Sequence, residues 1–288
     1  MSPITNKKIS NKYHNKKTKK ICAPNSSKYS FSCFDKKGIL KIAKAWNKKS
    51  NKKNRINLKE KNIKKIWDIL NKNLKKKCQD ELCWIKKIKV KNMKKYFRPQ
   101  KPKNWKSNNY EWLSTVDIEK VLNQYEKKYS DFKFIGAVPI DFDEKYNFGN
   151  CIVDELCKLK LKNIRKKNIF KIGIVFNLDK HSQDGSHWVS MFIDLNNNNI
   201  YYFDSYGTKE PPQISKFIKR LQDEFKKEKK KINYQRNTIR HQFDNSECGI
   251  YSINFIINML DGNNFNSFIK NIVKDEDMNK KRDYYFIS

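Results

Sequence analysis

Four polar residues in the second half of the chain have the types and the order that acyl chemistry at a thiol requires. They are His187, Asp204, Gln242 and Cys248. A cysteine can supply the nucleophile, a histidine the base, an aspartate the group that orients the base, and a glutamine amide a donor to a developing oxyanion. Whether the four side chains meet depends on the elements that carry them.

Cys248 is predicted to begin a helix, because apolar residues recur at helical spacing up to Leu260, before Asp261-Gly262. The free amide groups at a helix start favour the thiolate, which is the attacking form. Gly249 would let a substrate backbone approach closely. The alternative for Cys248 taken alone is inert packing at the start of an apolar helix.

His187 and Asp204 are predicted to be neighbours across a hairpin. The alternating runs 187–193 and 200–203 indicate two strands, and the asparagines of 196–199 form the turn between them. The first residue of one strand then adjoins the residue that ends the other, so the carboxylate can orient the imidazole. The alternative for Asp204 is the start of a turn that ends at a glycine.

Gln242 lies six residues before Cys248 and can donate to an oxyanion together with the Cys248 backbone N–H. Without the other three residues, Gln242 would not indicate any function. His241 beside it is a weaker competitor of His187 for the role of base.

The remaining pattern predicts an α+β fold, a mixed sheet flanked by helices. Ser114 and Asp117 form a capping box for a helix. Further strands are expected at 132–138, 170–176 and 232–234, and further helices at 152–159 and 214–225.

The N-terminal part has a different composition. Residues 1–110 contain 35 Lys and Arg against five acids, a net charge of +30, whereas the rest of the chain contains 29 against 25, a net charge of +4. We predict a flexible basic tail at 1–30, a small basic and mainly helical domain at 31–107, with helices around 40–46, 58–74 and 82–88, and a larger domain at 108–288.

The basic excess predicts a polyanionic partner, such as nucleic acid, an anionic membrane surface or an acidic protein. An equally weighted alternative is compositional drift, because Lys, Asn and Ile are abundant together, as in AT-rich genomes. The seven cysteines show no Cys-x-x-Cys, so we expect no zinc site, no close pairing and reduced thiols in a cytosol-like compartment. No apolar leader or run of membrane-spanning length is present, so neither secretion nor a transmembrane helix is expected.

The order His187-Trp188, Asp204-Ser205, Gln242-x5-Cys248-Gly249 resembles the Ulp/adenain clan of cysteine proteases over about residues 108–272. This clan includes SUMO-specific proteases, the adenovirus protease and virion maturation proteases of large DNA viruses such as African swine fever virus. The run Trp112-Leu-Ser-Thr and the basic N-terminal extension are most similar to the virion proteases. One departure is Glu247, where many relatives have Asp.

The resemblance implies an Ulp/adenain-like core in which His187 is the base, Asp204 the orienting residue, Gln242 the oxyanion donor and Cys248 the nucleophile. It also implies that Trp112 and Trp188 flank a narrow tunnel that admits Gly-Gly, although core packing is at least as good an explanation for Trp188.

The function that the resemblance implies is a cysteine endopeptidase that cleaves after Gly-Gly-type motifs in viral structural polyproteins during virion maturation. No metal or other cofactor is expected, except that DNA or another polyanion could activate the enzyme through residues 31–110. The expected location is the virion and the host cytoplasm, in the viral factory. Three alternatives remain: an isopeptidase acting on SUMO or ubiquitin-like conjugates of the host, an acyltransferase of the same clan, and a nucleic-acid-binding protein with an inactive protease-like domain.

Overall fold

The structure is a computed structural model of the 288-residue chain, and it describes residues 21–26, 29–146 and 149–288. Contacts divide the chain into two compact units. One extends to Pro99 and includes Ile287, and the other contains Gln100–Phe286 and Ser288. Residues 1–20 of the predicted tail lie outside the described residues.

In its described residues, the first unit contains three α-helices around an apolar core. They are α1 Lys36–Lys49, α2 Ile63–Leu74 and α3 Glu81–Ile88. Each begins at a side-chain cap, which is Asp35, Asn62 or Asp80 respectively. The apolar side chains of the helices face one another, while most of the lysines are exposed.

Two predictions for this unit need correction. The helix expected from residue 58 begins only at Ile63, and Leu58 lies exposed in the preceding turn. Residues 21–26 pack with the unit although they were assigned to the tail, because Cys22 bridges to Phe97 and is disulfide-bonded to Cys33.

The second unit is built on a five-stranded mixed sheet with the strands in sequence order, which confirms the predicted α+β fold. The outer pairs, β1–β2 and β4–β5, are parallel, whereas β2–β3 and β3–β4 are antiparallel. The strands are β1 Phe132–Pro139, β2 Lys171–Asn177, β3 Trp188–Asp194, β4 Asn199–Phe203 and β5 Asn233–Arg236.

Helices cover both faces of the sheet. The principal ones are α4 Thr115–Lys128, α7 Pro212–Lys227 and α8 Cys248–Leu260, and the shorter ones are α5 Asp154–Cys157, α6 Leu161–Lys166, α9 Phe265–Lys270, α10 Asp275–Lys280 and α11 Arg282–Tyr285. The predicted capping box of α4 is present. The helix expected at 152–159 is instead a single turn, α5, followed by the separate helix α6.

Side chains of β3 alternate between two cores. Trp188 and Phe192 pack in the core that contains α4 and α8, whereas Val189, Met191 and Ile193 pack with α7 on the other face. Because α8 is buried along nearly its whole length, its first residue is held at a fixed place beside the sheet. Among the described residues, no helix is long and apolar enough to cross a membrane.

Candidate active site

The predicted hairpin brings His187 and Asp204 together. Strands β3 and β4 pair from Ser190↔Phe203 to Asp194↔Asn199, so the residue before β3 lies beside the residue after β4. His187 Nε2 and Asp204 Oδ1 are 2.7 Å apart, and both residues are buried. The geometry therefore allows the carboxylate to fix the tautomer and orientation of the imidazole.

Asp204 also begins a turn, which was the alternative interpretation of this residue and does not conflict with an orienting role. Its carbonyl oxygen accepts a hydrogen bond from the Gly207 N–H at 2.8 Å, and Gly207 has a φ of +73°, which favours glycine. The carboxylate accepts hydrogen bonds from the Tyr206 N–H at 2.9 Å and from the Thr208 hydroxyl. Each contact limits the rotation of the carboxylate.

Asn237 fixes the backbone of Asp204 and was not identified from the sequence. Its side-chain oxygen accepts a hydrogen bond from the Asp204 N–H at 2.9 Å, and its amide nitrogen donates to the Asp204 carbonyl at 2.6 Å. Asn237 is fully buried and directly follows β5. A single asparagine at the end of a weak strand gives no pattern from which this role could be predicted.

The imidazole of His187 is held between two groups that favour its charged form. Burial alone lowers its pKa, but hydrogen bonds to Asp204 and Cys248 outweigh burial and raise the pKa from 6.5 to about 9. For Asp204, burial acts to raise the pKa, and the contacts with His187 and Thr208 reverse this and lower it. At neutral pH the pair is therefore an imidazolium and a carboxylate.

Cys248 is the first residue of α8, as predicted, and its thiol is buried. The thiol is near enough to His187 to help raise the pKa of the imidazole. Since Nε2 of the imidazole faces Asp204, Nδ1 is the nitrogen left to face the sulfur. The contact between His187 and Asp204 and the buried thiol at the start of α8 are thus the parts of the site that the structure brings together.

Gln242 is fully buried and tied to the residue that follows Asp204. Its side-chain oxygen accepts a hydrogen bond from the Ser205 hydroxyl at 2.7 Å, and its side-chain nitrogen donates to the Asp244 carbonyl at 2.8 Å. One N–H of the amide remains for another acceptor. His241 is oriented differently: its Nε2 lies 3.0 Å from the Ile269 carbonyl, and burial lowers its pKa.

Gly249 permits a close approach, but the group that approaches belongs to the same chain. A side chain at this position would come within 2.9 Å of the Leu113 Cβ and 3.4 Å of the Trp188 indole. The glycine therefore lets the segment before α4 and the start of β3 pack against the beginning of α8.

Trp112 and Trp188 both line a cleft of about 700 Å³. Trp112 is 43% exposed, whereas Trp188 is buried and donates a hydrogen bond from its indole N–H to the Leu113 carbonyl at 2.9 Å. Trp188 therefore packs in the core and also faces the cleft. His181, hydrogen-bonded to the buried Asp141 at 2.7 Å, lines the same cleft.

Arg282 is a second residue near the thiol that the sequence did not reveal. It is fully buried, and it donates hydrogen bonds to the Glu111 carbonyl at 2.6 Å and to the Ser246 carbonyl at 3.2 Å. Its guanidinium lies 4.6 Å over the ring of Trp105. Burial lowers its pKa, while the charges of Glu247 and Cys248 act in the opposite sense. A positive charge is thus buried beside the loop that leads to Cys248.

The expectation of unpaired cysteines is wrong. Disulfides join Cys22 to Cys33, Cys78 to Cys83 and Cys151 to Cys157, with Cα atoms 5.1, 5.4 and 6.2 Å apart, because local turns bring each pair together. Cys248 is the free cysteine.

One group of residues has the composition of a metal site. Asp143, Cys151 and Cys157 place potential ligand atoms within 4.8 Å of one another. The two cysteines are bonded to each other, however, and the carboxylate of Asp143 faces Arg220 at 3.3 Å and Lys216 at 3.9 Å. Because a disulfide offers no thiolate, this group does not fit a metal ion.

Comparisons with known proteins agree with this geometry. The C-terminal catalytic domain of the Ulp1 protease family matches residues 142–288. A relative assigned as a thiol protease in Acanthamoeba polyphaga mimivirus is 39% identical over 191 residues, which are 66% of this chain and 60% of the relative. The SUMO-1 cysteine protease of African swine fever virus (isolate Pig/Kenya) is 30% identical over 190 residues, 62% of this chain and 69% of the relative. The chain thus spans about 60% of the mimivirus relative's length.

The fold agrees as well. The crystal structure of a selenomethionine form of the African swine fever virus protease superimposes with a TM-score of 0.66 at 22% identity, and covers 94% of this chain and 98% of that one. Together with the match over half of the sequence, this shows that the chain belongs to the Ulp1 family of cysteine proteases.

Proposed function

We propose that the chain is a cysteine endopeptidase that uses Cys248 as nucleophile, His187 as base and acid, and Asp204 as orienting residue. The observation that carries the proposal is the position of His187, which is 2.7 Å from Asp204 and within reach of a free thiol at a helix start. The raised pKa of His187 supports an imidazolium that faces a thiolate.

The proposed reaction has two halves. The Cys248 sulfur attacks the carbonyl carbon of the scissile peptide bond, and the negative charge moves to the oxygen. Gln242 and the Cys248 backbone N–H are the proposed donors to this oxygen. His187 then gives its proton to the departing amine, and a thioester remains. In the second half neutral His187 takes a proton from the water that attacks the thioester. The C–S bond then breaks, the carboxylic acid is released, and the Cys248 thiolate and the His187 imidazolium are restored.

The proposed cleavage site follows a Gly-Gly-type motif. The cleft between Trp112 and Trp188 adjoins the start of α8 through Gly249, which contacts Trp188. The rings of Trp112 and Trp188 suit a Gly-Gly segment, because a backbone without side chains can pass close to both rings. By the similarity to the viral relatives, we propose that the substrates are viral structural polyproteins processed during virion maturation, in the virion and in the viral factory of the host cytoplasm.

The decisive test compares wild type with Cys248→Ser on a panel of Gly-Gly-X peptides. Cleavage by wild type and loss of cleavage by the variant are expected, and equal cleavage by both would exclude this site. Asp204→Asn should lower kcat more than it raises KM, since the carboxylate acts through the imidazole. An effect confined to KM would contradict the orienting role.

An isopeptidase that releases SUMO or another ubiquitin-like protein is the second candidate. It is favoured by the similarity to a protein described as a SUMO-1 cysteine protease, and the same cleft would accept a Gly-Gly terminus. Wild-type enzyme offered a SUMO conjugate and a Gly-Gly-X peptide separates the two activities. Turnover of acetyl-CoA without peptide cleavage would instead indicate an acyltransferase.

We also propose that the basic residues 31–110 bind DNA or another polyanion, as a tether or activator. The exposed lysines of the first unit include a group around a surface pocket, namely Lys86, Lys89, Lys91, Lys94 and Lys95. The affinity for duplex DNA should fall steeply with salt, with a slope of roughly −0.9 in log–log form for each phosphate contacted. Salt-independent affinity would contradict DNA binding, and unchanged peptide cleavage upon addition of DNA would contradict activation.

A further inference from the structure

A stack of side chains extends from the His187 imidazole to the protein surface. The ring of Tyr206 lies parallel to the imidazole, with centroids 4.4 Å apart and an interplanar angle of 8°. The guanidinium of Arg240 lies 5.1 Å from the centroid of Tyr206 and 5.0 Å from that of Phe243. Phe243 is 66% exposed and the neighbouring Ile239 is 40% exposed.

Arg240 is fixed in place, but among the described residues no carboxylate pairs with its charge. Its Nε donates a hydrogen bond to the Gln242 carbonyl at 2.6 Å. Within the ranges 21–26, 29–146 and 149–288, no carboxylate lies at ion-pair distance from the guanidinium, and no bonded partner is present for its two terminal nitrogens. Two rings and one hydrogen bond thus hold the guanidinium in a fixed orientation. Its terminal N–H groups can then donate the two parallel hydrogen bonds that a carboxylate accepts.

The loop that carries Arg240 is held against the turn after Asp204. A side chain at Gly207 would come within 2.9 Å of the backbone of Ile239 and 3.0 Å of that of Arg240. The absence of a side chain at Gly207 therefore allows the contact between the two loops. As a result, the position of Arg240 is coupled to the elements that hold His187 and Asp204.

The stack and the tryptophan cleft are separate parts of the surface. The lining of the cleft includes Trp112 and Trp188 but not Tyr206, Arg240 or Phe243. Tyr206 is near enough to Cys248 for the charge of the sulfur to raise the pKa of the phenol, an effect that adds to burial. If the cleft takes the acyl side of the substrate, the stack faces the leaving-group side.

We propose that Arg240 binds a carboxylate side chain of the substrate on the leaving-group side of the scissile bond, and so determines specificity there. The proposal rests on the proposed protease function. The centroid of the imidazole lies 4.4 Å from that of the Tyr206 ring, and the guanidinium lies 5.1 Å from the same Tyr206 centroid. The two spacings together correspond to roughly three residues of extended chain. The preferred substrates therefore have Asp or Glu within the first three positions after the Gly-Gly motif.

The test uses the full chain and pairs of Gly-Gly peptides that differ by Glu or Gln at one of the three following positions. For wild type, the ratio of kcat/KM for the Glu peptide to that for the Gln peptide should reach roughly tenfold at one position, the size of one charge-assisted contact. Arg240→Gln should bring the ratio to about one, and Phe243→Ala should lower it. The control is Lys209→Gln, which removes an exposed positive charge from the same loop region outside the stack and should leave the ratio unchanged.

A second measurement separates this inference from the protease function. The Cys248→Ser variant binds the same peptides without turnover, and anisotropy should show tighter binding of the Glu peptide, lost when Arg240→Gln is added. A wild type without preference in either measurement, or a preference that survives Arg240→Gln, would overturn the proposal. A binding preference without cleavage by wild type would retain the role of Arg240 and reject the protease function.

Discussion

Ser205 and Gln242 are joined by two hydrogen bonds. The Ser205 hydroxyl donates to the Gln242 side-chain oxygen at 2.7 Å, and the Gln242 backbone N–H donates to the Ser205 carbonyl at 2.9 Å. Because Ser205 directly follows Asp204, the proposed orienting residue and the proposed oxyanion donor are fixed by one short segment. The position of Gln242 relative to Asp204 is thereby fixed.

Ser205→Ala is therefore expected to reduce kcat roughly tenfold with little change in KM. The variant leaves the buried Gln242 oxygen without its donor, and a single misplaced oxyanion contact costs on the order of 1–3 kcal/mol. Steady-state kinetics on a Gly-Gly peptide would measure it. The control is Ser190→Ala, which removes another buried hydroxyl, one that donates to the Phe203 carbonyl at 3.5 Å. An equal loss of kcat in both variants would contradict a specific role for Ser205.

The pH dependence of stability and of activity is expected to follow the ionisation of His187. Its folded-state pKa of about 9 exceeds the unfolded value of 6.5, so its stabilising contribution is fully present below pH 6.5 and is lost as pH rises through about 9. Activity should decline over the same alkaline range, because the leaving amine needs the imidazolium proton. An NMR titration of the His187 ring should find this high midpoint.

Variants of Asp204 and Cys248 test why the pKa of His187 is raised. Asp204→Asn and Cys248→Ser should each move the His187 midpoint downward, since each removes a group that raises the pKa. His241→Gln, at a buried histidine that lies outside this pair, should leave the midpoint unchanged. A midpoint near 6.5 in the wild type would reject the coupled imidazolium.

Sequence patterns predicted the parts of the site that depend on periodicity. The hairpin placed His187 beside Asp204, and the apolar repeat placed Cys248 at a helix start, because strand alternation and helical spacing are visible in one sequence. The groups that hold Asp204 were missed. Asn237 acts from the end of β5, the strand next to β4, and such a contact depends on which strands pair rather than on any local repeat.

The cysteines illustrate the same limit. Separations of 5, 6 and 11 residues carry no motif, yet turns bring each pair within bonding distance. Gly249 was expected to make room for substrate, but the neighbouring residue Leu113 comes from a segment more than 100 positions away in the sequence. The residue type indicated a close approach, whereas the partner depended on the tertiary fold.

Gly249→Ala should therefore destabilise the second unit by about 1–3 kcal/mol, which is typical of overpacking. The new methyl group would come within 2.9 Å of the Leu113 Cβ. Free energies of unfolding in urea for wild type, Gly249→Ala, Leu113→Ala and the double variant form a cycle. The double variant should be more stable than the sum of the single effects predicts, by more than about 0.5 kcal/mol. Strict additivity would show that Leu113 is not the obstacle.

Arg282 provides the last prediction, since it connects α11 to the loop that precedes Cys248. Arg282→Met leaves the Glu111 and Ser246 carbonyls without their donor, at a cost of roughly 1–3 kcal/mol each, although relief from burying a charge offsets part of this. Arg282→Lys keeps the charge but loses the planar guanidinium that donates to both carbonyls. If the charge assists the thiol, alkylation of Cys248 by iodoacetamide at pH 7 should be slower in Arg282→Met than in Arg282→Lys, at a temperature where urea titration shows both folded. Equal alkylation rates would confine Arg282 to a structural role, because the two variants share the loss of the Ser246 contact and differ chiefly in charge.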